Sequence, residues 1–486
     1  MKTRLYNAYI CTMVDGDTQA KQGEVWIDGD RIIHAGPVGT GGSSPDHAGA
    51  DAGAGAGARA GAGAGAVDDA SSIDARQFGT GSPGDAMGAG GAIPGTGDAA
   101  GAPHTFDYEL DCGGCLILPG FKNAHTHSPM TFLRSFADDM PLLDWLQKQV
   151  FPMEAKLSGE AVYWFARLAI LEYLTSGITA NFDMYAFGDD VVRASVDSSF
   201  RTVMCGAISD NESSPAKMEA EYLRFNATHP RISATVGFHA EYTCSQKLME
   251  EVAAIAHRHK APVYAHNSET RAEVEQCKGR YGITPTALFD RVGLYDFGGG
   301  AYHCVHVDEN DMDIFREKGI YVISNPGSNM KLASGIAPLC RMQEKGVSLA
   351  LGTDGPASNN CLDFFREMFL ATGCQKLLLE DASAMDAPAV LRMACSSGAH
   401  AMCLPQCDSL APGKQADLVV IDLLQPNMQP INNMTNNLVY SGSKQNVKMT
   451  MVAGKVLYGD GQFDVGVPAA EIYAKAQEWT ERIKGM

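Results

Sequence analysis

His125 and His127 stand one residue apart in the run KNAHTH. On an extended strand, residues i and i+2 project from the same face, so both imidazoles reach one cation; the same spacing also suits two packing histidines. His266 in YAHNSET and Asp354 in LALGTDGPASNN tip the balance, because each follows an apolar run. Three imidazoles and a carboxylate, with a position left for water, form a donor set that suits Zn²⁺; another divalent ion such as Fe²⁺ fits the same donors. Such an ion lowers the pKa of water toward ~7, which makes hydrolysis at neutral pH feasible.

Several neighbours carry two readings. Asp354 precedes a Gly-Pro turn, where an aspartate is also a common turn cap. Glu269, three residues after His266, is either a first-turn acid favoured by a helix dipole or a carboxylic acid that donates a proton to a ring nitrogen. His303 in YHCVH is either a satisfied core histidine or a group that acts on the attacked carbon's hydroxyl. His257 and His259 alternate with Arg258 and Lys260 and read as a solvated helix face, while His229, His306 and His400 lack a partner at a strand end. No G-x-S-x-G elbow is present, and no G-x-G-x-x-G turn or Walker loop opens any of the helices in the middle of the chain, which argues against a serine hydrolase or a nucleotide-cofactor enzyme.

These residues need a scaffold that brings distant positions together. The middle of the chain alternates short apolar runs (ILPGFKNAHTH, GITANFDMY, RTVMCGAIS, ISATVGFHA, PVYAHNSET, GAYHCVH, IYVISNP and SLALGTDG) with periodic helices such as GEAVYWFARLAILEYLTS and QKLMEEVAAIAHRHK. Eight β/α units over 115–404 match the ~250-residue scale of a TIM (β/α)8 barrel. His125 and His127 then end the first strand, His239 the fourth, His266 and Glu269 the fifth, His303 the sixth and Asp354 the eighth. Barrel loops converge at that end, so all of them meet in one pocket.

The two chain ends read differently, with short alternating strands and D-G turns. They suggest a small composite β-sandwich from 1–36, 107–114 and 405–486. Between its parts, 37–106 is dominated by Gly, Ala, Ser and Asp and offers almost nothing to bury; it reads as a disordered insertion. The net charge of −19 makes nucleic acid and anionic membranes unfavourable partners. No signal-like segment or apolar run of membrane-spanning length occurs, and the 13 cysteines show no repeating spacing. The expectation is a cytoplasmic protein with reduced thiols and a small-molecule substrate, with a homo-oligomer as the ordinary state for such enzymes.

The stretch PGFKNAHTHSPMTFLRSFADDMPLLDWLQKQVFPMEAKL, followed in order by GFHAEYTCS, HNSET, YHCVHVDE, NPGSNMKLASGIAP and GTDGPASNN, resembles the amidohydrolase superfamily, and within it the 5-methylthioadenosine/S-adenosylhomocysteine deaminases. The resemblance covers nearly the whole chain outside the Gly/Ala insertion. It implies one metal per chain held by His125, His127, His266 and Asp354. Glu269 becomes the proton donor to purine N1, and His303 and Asp354 orient and deprotonate water. Trp145 contacts the base, Glu154 the ribose hydroxyls, and His239 the substrate. Three departures bear on substrate choice. Gly206 stands where an arginine often holds the homocysteine carboxylate, Glu241 enters beside the pocket, and Ser324 replaces a histidine. Losing a carboxylate clamp disfavours S-adenosylhomocysteine unless Arg134 or Arg201 substitutes. Two rivals accompany this reading: deamination or dechlorination of another heterocycle such as guanine or a triazine, and a non-catalytic metal-binding assembly subunit.

Overall fold

A computed structural model describes residues 1–37, 105–211 and 214–486. The chain opens with strands β1 (Lys2–Ile10), β2 (Lys21–Asp28), β3 (Arg31–Gly36), β4 (Tyr108–Asp111) and β5 (Cys115–Pro119). Eight more follow: β6 (Phe121–Thr126), β7 (Ile178–Met184), β8 (Arg201–Cys205), β9 (Ile232–Ala240), β10 (Val263–Asn267), β11 (Gly299–His303), β12 (Ile320–Ser324) and β13 (Ser348–Leu351). β14 (Leu418–Asp422), β15 (Val447–Val452), β16 (Lys455–Gly459) and β17 (Gln462–Phe463) complete the set.

Strands β6 to β13 pair in sequence order, each parallel to the next, and form the expected barrel. Most are buried along their whole length, as the near-continuous apolar runs require of strands covered on both faces. Polar contacts join the last strand's exit to the first strand. The Asp354 N–H donates to the His125 carbonyl at 3.0 Å, and Asn123 exchanges two 2.8 Å bonds with Thr353. Helices cover the outside; Gly159–Thr175, capped by the Ser158 hydroxyl, lies between β6 and β7.

The strands of both ends form one mixed sheet of nine, in the order β17-β16-β15-β14-β5-β1-β2-β3, with β4 also on β1. β4 and β5 both run parallel to β1, against Thr3–Tyr6 and Tyr9–Ile10 respectively. The run ILPGFKNAHTH therefore divides: Cys115–Pro119 belongs to this sheet and Phe121–Thr126 to the barrel. Gly120 marks the break, because a Cβ there would lie 2.1 Å from Thr179 Cγ2, so only glycine permits the close approach. The Gly/Ala-rich insertion expected at 37–106 lies, apart from its edges, outside the described residues.

One buried ion pair ties barrel to sheet. Arg201 on β8 donates from Nε to Asp417 Oδ2 at 2.6 Å and from Nη2 to Oδ1 at 3.0 Å, a bidentate arrangement just before β14. Among the described residues, no helix is long and apolar enough to cross a membrane.

Candidate metal centre and catalytic pocket

His125, His266, His303 and Asp354 each present a ligand atom, all within 4.8 Å of one another, at the C-terminal end of the barrel. His127 joins them from just beyond β6. Its Nε2 lies 3.3 Å from Asp354 Oδ1, and His125 Nε2 lies 3.5 Å from the same oxygen.

The protein turns each ring deliberately. His127 Nδ1 pairs with the Met184 carbonyl, and His266 Nδ1 with the His239 carbonyl, both at 2.7 Å. A ring nitrogen facing a carbonyl must donate, so Nδ1 carries a hydrogen and Nε2 is the nitrogen that faces the centre. His303 does the same through Asn329 Oδ1 at 2.7 Å. His125 is fully buried, stacks on Tyr302 at a centroid distance of 3.7 Å, and has no hydrogen-bond partner at either ring nitrogen.

Asp354 is fixed as firmly. Its Oδ2 accepts the Ser328 hydroxyl at 2.6 Å and the Ser358 hydroxyl at 2.7 Å, leaving Oδ1 toward the histidines. Its φ of 59°, with 70° at His303 and 52° at Ser268, places three residues of this rim in the left-handed region. Surroundings that over-determine the backbone hold such conformations, typically at functional sites.

Burial sets the charges. It lowers His125 to about 3 and His239 to about 4, and takes His266 well below its ordinary value, so these imidazoles are neutral. Burial opposes the charge on His127 too, but the Asp354 carboxylate reverses that and lifts it to about 9. Burial would also raise Asp354, yet His125 and His127 hold it well below the carboxylate range. Neutral imidazoles, one carboxylate and a buried unpartnered histidine fit a Zn²⁺-type cation.

The centre opens into a cavity of about 490 Å³ lined by His127, His239, His266, Glu269, His303 and Asp354, and also by Trp145 and Glu154. His125 is 0% exposed and does not line the cavity. The last two come from the segment between β6 and the Gly159–Thr175 helix. Glu154 accepts the Tyr185 hydroxyl at 2.6 Å. His239 bonds through Nδ1 to Thr243 at 2.9 Å. Glu269 is 3% exposed, and burial raises its carboxyl above the ordinary range. It lies 3.9 Å from His303 Nε2 and accepts the Ser334 hydroxyl at 3.4 Å.

Three expectations change. Glu241 turns away from the pocket and pairs with Arg280 at 2.5 Å, its own side chain fully covered. Ser324 lines a separate apolar groove. Neither arginine substitutes at Gly206: Arg201 serves Asp417, and Arg134 donates to Glu172 and to the Asn360 carbonyl, both at 2.5 Å. The residues that sequence reasoning passed over are the positioning groups Ser328, Ser358, Asn329 and Glu273. NPGSNM holds the first and third of these, but isolated polar residues that anchor a neighbouring group have no periodic signature to mark them.

The amidohydrolase family model matches residues 116–457. A 5-methylthioadenosine/S-adenosylhomocysteine deaminase of Syntrophobacter fumaroxidans is 42% identical over 359 residues, covering 72% of this chain and 82% of its own. A 5'-deoxyadenosine deaminase of Methanothermobacter thermautotrophicus is 38% identical over 371 residues, 75% of this chain and 87% of its own. The crystal structure of an adenosine deaminase from Xanthomonas campestris with bound zinc superposes at a TM-score of 0.83 with 29% identity, covering 100% and 99% of the two chains.

Proposed function

The chain belongs to the amidohydrolase family and is a hydrolase of carbon–nitrogen bonds, and on that premise we propose that it removes the 6-amino group of 5′-modified adenosines as ammonia. The class includes methylthioadenosine, 5′-deoxyadenosine and S-adenosylhomocysteine. The observation that carries the reading is Glu269, a buried carboxyl raised above its ordinary range in the same cavity as the histidine and aspartate cluster. A carboxyl whose surroundings favour its protonated form suits proton donation to N1 of an adenine ring.

His125, His127, His266 and Asp354 would hold Zn²⁺, which when bound supplies the Lewis acidity that brings the pKa of water toward ~7. Trp145 packs on the base, Glu154 takes the ribose hydroxyls, and His239 contacts the ring. Glu269 gives its proton to N1 while Asp354, with His303 orienting, removes a proton from water as its oxygen bonds to C6. That proton passes to the amino group, the C6–N bond breaks and ammonia leaves, the C6 hydroxyl returns its proton to Glu269 as the carbonyl forms, and a hypoxanthine product remains. Zinc as the resident ion, a cytoplasmic setting and a homo-oligomeric state belong to this proposal. They are supported by the donor set, by thirteen free cysteines and by the frequency of symmetric oligomers.

The test is ammonia release from zinc-loaded protein given methylthioadenosine, 5′-deoxyadenosine, adenosine, S-adenosylhomocysteine or guanine. Turnover of the adenosines is the expected result. Turnover of guanine alone overturns the substrate assignment, and silence on all five overturns the reaction class.

A further inference from the structure

Glu367 is a buried acid that the reaction described above does not use. It sits in the first turn of the helix Phe364–Leu379, fully covered, and burial pushes its carboxyl up to about 7. A carboxylate is costly to bury unless donors satisfy it. Here two donors do, and they come from two different strand exits. Oε2 accepts the backbone N–H of Gly327 at 2.8 Å, just after β12, and Oε1 accepts from Asn359 Nδ2 at 2.8 Å, just after β13.

Both partners adjoin the groups that fix Asp354. Gly327 precedes Ser328 and Asn359 follows Ser358, the two serines whose hydroxyls donate to Asp354 Oδ2. Asn359 Nδ2 also donates to the Thr353 carbonyl at 2.7 Å, one residue before Asp354. The helix Pro326–Lys331 that carries Ser328 has no side-chain cap of its own at Asn325, so the N–H of Gly327 in its first turn is satisfied from Glu367 instead. The approach is tight: a Cβ on Gly327 would collide with Glu367 Oε1 and lie 2.6 Å from Asn359 Oδ1. Held by one carboxylate, the two segments cannot drift apart without leaving a buried polar group unpaired.

Resting on the metal-centre reading above, we propose that Glu367 is a positioning residue for the metal: by holding Gly327 and Asn359 together, it sets the spacing of Ser328 and Ser358 and through them the aim of Asp354. Glu367 does not line the catalytic cavity, and its effect reaches the metal through the two serines.

The test compares zinc affinity, read by chelator competition, for Glu367→Gln in two backgrounds. An amide offers one acceptor and one donor, so either the Gly327 N–H or the Asn359 amide loses its partner. In the otherwise wild-type chain the substitution should weaken zinc binding about tenfold. In a Ser328→Ala/Ser358→Ala chain, where the hydroxyls are already gone, the same substitution should weaken it less than about twofold, the coupling expected of groups that act in series. Equal losses in both backgrounds would show that Glu367 serves the fold at large and overturn the proposal, as would unchanged affinity in the first. If Glu367→Gln does not fold, Glu367→Asp goes through the same comparison; it keeps the charge but is a methylene too short to hold both partners. A wild-type chain that takes up no zinc overturns instead the metal reading on which the proposal rests.

Discussion

The carboxylate of Glu273 accepts the backbone N–H of Glu269 at 2.7 Å, so one buried acid positions another. The same side chain takes the N–H of Ser268 at 3.0 Å and of Thr270 at 3.4 Å, closing a capping box with the Thr270 hydroxyl at the start of the helix Arg271–Tyr281. Three donors on one carboxylate fix the turn from which Glu269 reaches the pocket. An amide in its place presents a donor to donors. Glu273→Gln should lower kcat by up to about 10²-fold with KM and bound zinc nearly unchanged; steady-state kinetics and metal analysis check this. A fall in KM-side binding alone would assign Glu273 a merely structural role.

Glu269→Gln keeps the shape of the side chain and removes its proton. Zinc content should match the wild type while kcat drops by about 10²- to 10⁴-fold, the usual worth of a positioned acid. Near-normal turnover would exclude Glu269 as the proton donor.

Ser328 and Ser358 hold Asp354 from the side opposite the histidines. Removing either hydroxyl leaves Oδ2 short of one donor and loosens the ligand. Ser328→Ala is expected to weaken zinc affinity about 10- to 100-fold, read by competition with a chelator. His266→Ala and Asp354→Ala should abolish stoichiometric binding.

The Arg201–Asp417 pair makes an acid-dependent contribution to stability. Burial opposes ionisation of Asp417, but Arg201 holds its carboxyl below the usual range. A depressed native value stabilises the fold above the unfolded pKa near ~3.9, and that contribution disappears as pH falls through the native value. Asp417→Asn should be less stable than the wild type by about 3 kcal/mol at neutral pH. The gap in urea midpoints should narrow below about pH 4. A constant gap across that range would show that the ion pair is not its source.

What the sequence by itself determined is the set of eight buried strands and the chemical identity of what stands at their ends. Full burial on both faces demands unbroken apolar runs, and those runs are visible residue by residue. A histidine or aspartate just past such a run must face the loop end of a barrel, so His125, His127, His239, His266, Glu269, His303 and Asp354 were legible before any coordinate. Tertiary structure alone decided where ambiguous side chains turn. Glu241 follows a strand as Glu269 does, yet Arg280, 39 residues away in the chain, draws it from the pocket. Arg201 is likewise committed to Asp417, 216 residues away. Gly120 parts one apolar run between two sheets because Thr179 crosses within a methyl's reach. Each outcome depends on partners remote in sequence, and local pattern holds no record of a partner that only folding brings near.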